Sequence, residues 1–194
     1  MLSDSASPAI YLAGPSVFRA DSIAHGAHLK GLCARHGALG LYPLDNEISG
    51  VPDLAAAIRG ANMALIRRCD AIVVDMTPFR GPGMDGGSAY EMGAGAALGK
   101  LVVGYTSEYR SYADRVAVFS ACRRTGDVLR DADGLQVEDF GEWSPDNLMM
   151  AKGISALFMT PEDAIAHAVM TLAAGWTPAE DCAPDQAMGP APPR

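Results

Sequence analysis

Short apolar runs alternate along this chain with longer stretches in which apolar residues recur every three or four positions, the signature of strands interleaved with amphipathic helices. Residues 9–13 (Ala-Ile-Tyr-Leu-Ala) read as a first strand, stopped by Gly14-Pro15, and a helix is predicted over residues 21–36. Residues 39–43 form a short second strand. A helix over 53–68 carries Leu54, Ala57, Ile58, Ala61 and Leu65 at close to a 3.6-residue period. Residues 70–75 (Asp-Ala-Ile-Val-Val-Asp) make a third strand whose unbroken apolar middle predicts burial on both faces. A helix over 87–98 is built from small residues that allow close packing, and residues 101–105 form a fourth strand. A helical portion is expected around 113–122 and a short fifth strand at 135–140. A final helix spans 161–174, with Thr160 as its N-cap, Pro161 at the first helical position and Asp163 completing the capping box. This alternation predicts an α/β fold with a parallel sheet of about five strands flanked by helices.

Composition narrows the class of protein. The 194 residues are 49% hydrophobic, enough for one domain with a sizeable core, assigned to residues 8–176. The Pro- and Ala-rich segment 177–194 is expected to be a disordered tail. A net charge of −8 argues against a nucleic-acid binder, which would present a basic face. Four scattered cysteines without ligand spacing suit reduced thiols in a cytoplasmic protein. The first residues lack the basic and apolar regions of a secretory leader, and no apolar run is long enough for a membrane span.

The familiar cofactor motifs are missing. The first strand ends in Gly14-Pro15-Ser16 rather than G-x-G-x-x-G, and Gly95 to Lys100 has the wrong spacing and wrong helix end for a phosphate loop. No metal-binding pattern occurs, so neither cofactor nor metal is expected, and the four histidines read as helix-surface residues. What stands out is carboxylates. Asp75 closes the third strand, Asp85 lies in a Pro/Gly loop, and Glu91 falls on the small-residue helix that follows. Ligands of open α/β sheets bind beyond the carboxyl ends of the strands, where this segment lies. Asp75 serves either as a turn residue or as an acid, and Asp85 either caps the helix or works in a site. Glu91, on a helix expected to be partly buried, needs a partner, because an unpaired buried carboxylate is costly. Tyr11, in mid-strand, is either that partner or a core tyrosine.

Together, Tyr11-Leu-Ala-Gly14-Pro15, the Asp70–Pro82 segment, Asp85-x5-Glu91-Met-Gly and Asp146-Asn147-Leu-Met149 resemble the nucleoside 2′-deoxyribosyltransferase family over residues 10–150. The resemblance implies a flavodoxin-like (Rossmann-like) three-layer sandwich. It also implies a homo-oligomer with shared active sites, in which the Asn147–Met149 segment completes a neighbour's site. The small family members end soon after that segment, with a terminal carboxylate that reaches the site. This chain runs on past it by more than forty residues, so Arg194 does not inherit the role.

The implied reaction moves 2-deoxyribose between free nucleobases and nucleosides with retention, through Glu91 as nucleophile held by Tyr11. Asp75 or Asp85 would assist the departing base, with either order open. Gly14, Asn147 and Met149 would contact substrate, and Phe18 and Phe79 suit either stacking on the base or the core. One competing activity is hydrolysis of 2′-deoxynucleoside 5′-monophosphates on a related scaffold. An acid at position 85 counts against it, since a phosphate dianion would be repelled. The other competitor, a non-catalytic nucleotide sensor, has no need of a tyrosine-held glutamate.

Overall fold

In the computed structural model, residues 7–139 and 141–178 are described. Five parallel strands form the sheet: β1 (Ala9–Ala13), β2 (Leu39–Leu41), β3 (Ala71–Asp75), β4 (Leu101–Tyr105) and, as the last strand of the chain, β7 (Ala156–Phe158). Their order is β2-β1-β3-β4-β7. The chain steps outward one way from β1 to β2 and the other way from β3 to β4 and β7. The reversal between β1 and β3 is the topological switch point, the place where such sheets open a crevice for ligands. β1 and β3 are paired there, with Ala13 opposite Val74.

Side-chain alternation along the strands assigns each residue to a layer. Ile10 and Leu12 of β1 pack with Val73 and Val103 into the core beneath helices α1 (Ser22–Arg35) and α6 (Pro161–Ala173). Tyr11 and Ala13 face the other way, with Ile72 and Val74, toward α2 (Leu54–Arg68) and α3 (Gly86–Ala97). The small residues of α3 have the expected use: a Cβ on Gly95 would lie 2.0 Å from Ile72 Cδ1, so only glycine lets the helix this close to the sheet. Helix ends also follow the sequence. Asp53 caps α2 by accepting from Ala56 N, and Thr160 caps α6 by accepting from Asp163 N.

The fifth strand is a correction. Residues 135–139 do not join the main sheet. They lie beside a separate hairpin, β5 (Arg123–Thr125) with β6 (Val128–Arg130), through a bridge from Gln136 to Arg130. Their alternation buries Val137 against the hairpin, which satisfies the strand pattern without a place in the sheet. The edge of the sheet is filled instead by β7, too short to be marked by periodicity. Helix α4 (Tyr112–Phe119) ends earlier than expected, and a one-turn helix α5 (Leu148–Ala151) precedes β7. The apolar stripe of α2 also divides: Leu65 is buried, but Leu54 and Ile58 are exposed, because the start of the helix overhangs a groove rather than the sheet. The tail beyond residue 178 and Phe140 lie outside the described residues. No described helix is long and apolar enough to cross a membrane.

Candidate active site

Because Tyr11 is an odd-numbered position in β1, its ring points into the α2/α3 layer, and its hydroxyl donates to Glu91 Oε1 at 2.7 Å. Asn62 of α2 reaches the same oxygen with Nδ2 at 3.3 Å. Glu91 thus hangs from α3 with one carboxylate oxygen held by two donors from two other elements. Burial lifts its carboxyl above the usual range; the Tyr11 and Asn62 hydrogen bonds oppose this, and the charge of Asp85 adds to it. Tyr11 is itself fully buried, and burial beside the carboxylate pushes its phenol far above its ordinary value. It therefore stays a donor at every working pH. The Oδ1 of Asn62 is buried with no partner among the described residues, a free acceptor within the same cluster.

Asp75 takes the opposite parity. It leaves β3 toward the α1 side, where its Oδ1 accepts from Thr77 N at 2.9 Å and Tyr105 of β4 stands opposite it. Burial again raises the carboxyl, while Thr77 and the nearby His25 pull it down. Gly14 is required by this carboxylate: a Cβ there would sit 2.8 Å from Asp75 Cβ. Asp85 caps α3, its Oδ2 accepting from Ser88 N and Ser88 Oγ, both at 2.8 Å. A carboxylate at a helix N-terminus occupies the ground where a phosphate would otherwise bind. The three acids are therefore spread around the switch point, two on the α3 side and one on the α1 side, and among the described residues no group of three His, Cys, Asp or Glu could hold a metal ion.

Two aromatic arms meet beyond the ends of β1 and β3. Phe18 ends a 3-10 turn (Pro15–Phe18) after β1, Phe79 follows β3, and their rings stack with centroids 5.5 Å apart at 15°. The loop behind Phe79 is anchored by a buried node. Asp146, 1% exposed, accepts from Met84 N at 2.7 Å and Asn147 N at 2.9 Å. Arg115 approaches it at 4.0 Å and donates to the carbonyls of Pro82, Arg110 and Pro145.

Among the described residues no hydrogen bond joins Asn147 or Met149 to Glu91, and neither lines the groove beside it. Asn147 caps α5, its Oδ1 accepting from Met149 N and Met150 N, and Met149 is 77% exposed. Beside Glu91 the surface opens into a groove of about 490 Å3 between α2 and α3, lined by Ile58, Arg59, Asn62, Met63 and Tyr90. Sequence reasoning missed Asn62, Tyr105 and the Arg115 anchor. Asn62 had one signal, an amide among the alanines and methionine of its helix; the other two had none.

The sequence matches a family model described as nucleoside 2-deoxyribosyltransferase over residues 10–149. The chain belongs to that family. A 2-deoxyribosyltransferase from Leishmania mexicana is 36% identical and superposes with a TM-score of 0.67, over 84% of this chain and 97% of that one. An uncharacterized protein of Schizosaccharomyces pombe, C191.05c, is 32% identical over 86% of this chain and 89% of its own length. A conserved protein from Enterococcus faecalis, 19% identical with a TM-score of 0.56 over 86% of this chain and 99% of that one, shares the fold. Family membership covers every residue of the site just described, from Tyr11 to Met149, and ends well before α6.

Proposed function

We propose that this family member transfers 2-deoxyribose between nucleobases through a covalent deoxyribosyl ester on Glu91. The observation that carries the reading is the pair of donors, Tyr11 and Asn62, on one oxygen of a half-buried glutamate. A carboxylate held at one oxygen keeps the other free and aimed, as a nucleophile must be. In the first displacement the free oxygen bonds to C1′ as the C1′–N bond breaks, and the electron pair leaves with the base. In the second, a nitrogen of the incoming base attacks C1′ and the carboxylate departs, so configuration is retained. The oxocarbenium-like transition states gain from the negative charge of Glu91 and Asp85 nearby.

The two aspartates divide the remaining work. Asp75, whose carboxyl burial raises, is the candidate proton source for the departing base. Asp85 is the candidate acceptor for sugar hydroxyls on the α3 side, and its occupation of the helix N-terminus favours free nucleosides over 5′-monophosphates. A shared site supplies Asn147: the exposed Leu148 and Met149 of a second copy would cover apolar surface beside Glu91. The substrates are then nucleosides and free nucleobases, in a salvage role.

Incubating deoxyinosine with free adenine separates the readings. Formation of deoxyadenosine supports transfer; release of hypoxanthine alone supports an N-glycosidase; neither supports a binding module. Omitting the acceptor and digesting the protein should yield the Glu91 peptide carrying a deoxyribosyl group. Its absence under conditions of active exchange would overturn the covalent step.

A further inference from the structure

Arg80 carries a charge that the site as described does not use. Several other arginines of this chain are committed, Arg19 to Asp21, Arg35 to Glu162, Arg110 to Glu108 and Arg115 to three carbonyls, while Arg67, Arg68 and Arg123 have no such partner among the described residues. The guanidinium of Arg80 instead lies 4.6 Å from the centroid of Phe79 and 5.3 Å from that of Phe18, and among the described residues it has no carboxylate partner. Its backbone stands at φ +57°, in the left-handed region, although Gly81 follows it and glycine could take that conformation freely. A non-glycine residue there costs about 1 kcal/mol. The strain aims a cation at the aromatic pair.

The pair itself stands over the switch point. Phe18 lies four residues beyond Gly14, and Phe79 lies four residues beyond Asp75. Gly14 and Asp75 lie so close where adjacent strands β1 and β3 end that a Cβ on Gly14 would clash with Asp75. Two arms of equal length thus rise from one point and touch at their tips, with Phe18 left 60% exposed. The pair follows the strand ends that carry Gly14 and Asp75, the candidate proton source. A planar ligand entering there meets an aromatic face and one unpaired guanidinium fork, whose donors suit an exocyclic carbonyl.

We propose that Arg80, presented on the Phe18–Phe79 stack, is a specificity-determining residue that binds the exocyclic oxygen of oxo-nucleobases and stabilises them as leaving groups. The inference rests on the transferase reading. As C1′–N breaks, the electron pair passes into the base and concentrates partly on its carbonyl oxygen, where a charged donor strengthens its hydrogen bond. The base then takes its proton on the ring nitrogen from Asp75 or water. Adenine has an amino donor at that position and only ring nitrogens as acceptors, so it lacks the exocyclic oxygen and the residue discriminates between the two kinds of base.

The test compares wild type with Arg80→Gln and Arg80→Lys in kcat/KM for deoxyinosine, deoxyadenosine and their 5′-monophosphates, with calorimetric binding of free hypoxanthine alongside. In R80Q, deoxyinosine should fall by about 10-fold or more and deoxyadenosine by less than about threefold, with hypoxanthine binding weakened; R80K should recover only part of the loss. Parallel losses on both nucleosides would overturn the proposal in favour of a loop-holding role. A loss confined to the monophosphates would overturn it in favour of phosphate recognition. If the wild-type protein turned over no nucleoside, the transferase reading would fall, while the hypoxanthine binding difference between wild type and R80Q would still decide whether Arg80 reads the oxo base.

Discussion

Tyr11 and Glu91, eighty residues apart in sequence, share a 2.7 Å hydrogen bond between the middle of β1 and the helix α3 packed on that face of the sheet. The phenol is the donor, and the strength of this charged bond sets how readily the carboxylate forms. Tyr11→Phe removes the donor while keeping the ring that packs the core. The expected loss in kcat/KM is about 10- to 100-fold, the range for a hydrogen bond to a charged group. Burial already lifts the Glu91 carboxyl and Tyr11 counteracts it, so the acid limb of the pH profile should move to higher pH in the variant. An unchanged limb with reduced rate would mean that Tyr11 only packs.

Glu91→Gln should abolish transfer, since an amide cannot form the ester; a loss of at least about 100-fold is expected. Stability should move the other way. A carboxyl whose folded pKa lies above its unfolded value favours the folded state at low pH, and that advantage disappears as pH rises through the folded pKa. At neutral pH the ionised group is a net cost, so E91Q should melt at or above the wild-type temperature. Thermal melts at pH 5 and pH 8 measure this, and a variant much less stable at pH 8 would contradict it.

Asp146 is structural, and its removal should show as unfolding rather than as altered chemistry. Asp146→Ala leaves Met84 N and Asn147 N without their acceptor and the buried Arg115 guanidinium without its counter-charge. Breaking a buried charged node of this kind costs about 3 kcal/mol or more. For a chain of this size that lowers Tm by roughly 6–12 °C. The loop that carries Phe79 and Asp85 should loosen first, visible as faster amide exchange over residues 78–85.

Asp85→Asn keeps a side-chain acceptor for the α3 cap but removes the charge. Relative activity on 5′-monophosphates should rise while activity on free nucleosides falls, because an ionised carboxylate in a partly desolvated crevice repels a phosphate strongly. Parallel losses on both substrate classes would shift Asp85 to the base side and return Asp75 to the sugar.

Mixing inactive Glu91→Ala with inactive Asn147→Ala subunits tests whether sites are shared. If each site borrows Asn147 from its neighbour, a mixed dimer has one site lacking both groups and one intact. Equal mixing then restores about a quarter of wild-type activity. Free subunit exchange with no recovery would put Asn147 in its own subunit's site or in none.

The sequence by itself determined most of the elements, the α/β class, the family, and which acids lie near the ends of the strands. Those features are local: apolar period, caps such as Asp53 and Thr160, and the Asp85-x5-Glu91 spacing are written within a few turns of chain. It also marked α3 as a helix of small residues, which the contact of Gly95 with Ile72 explains. What only the tertiary structure decided is how the acids are divided. Strand parity sends Tyr11 toward α3 and Asp75 toward α1, so the acids approach the switch point from two faces of the sheet, a division that their nearness in sequence does not show. Asn62 and Arg80 gained their meaning in the same way, one from a helix packed against Glu91 and the other from two arms meeting at their tips. β7 went unseen because three residues at a sheet edge carry no period; the neighbouring strand β4 supplies its register. Local pattern fixes which element a residue joins, but the partner of a side chain depends on contacts across the sheet, and those exist only once the chain has folded.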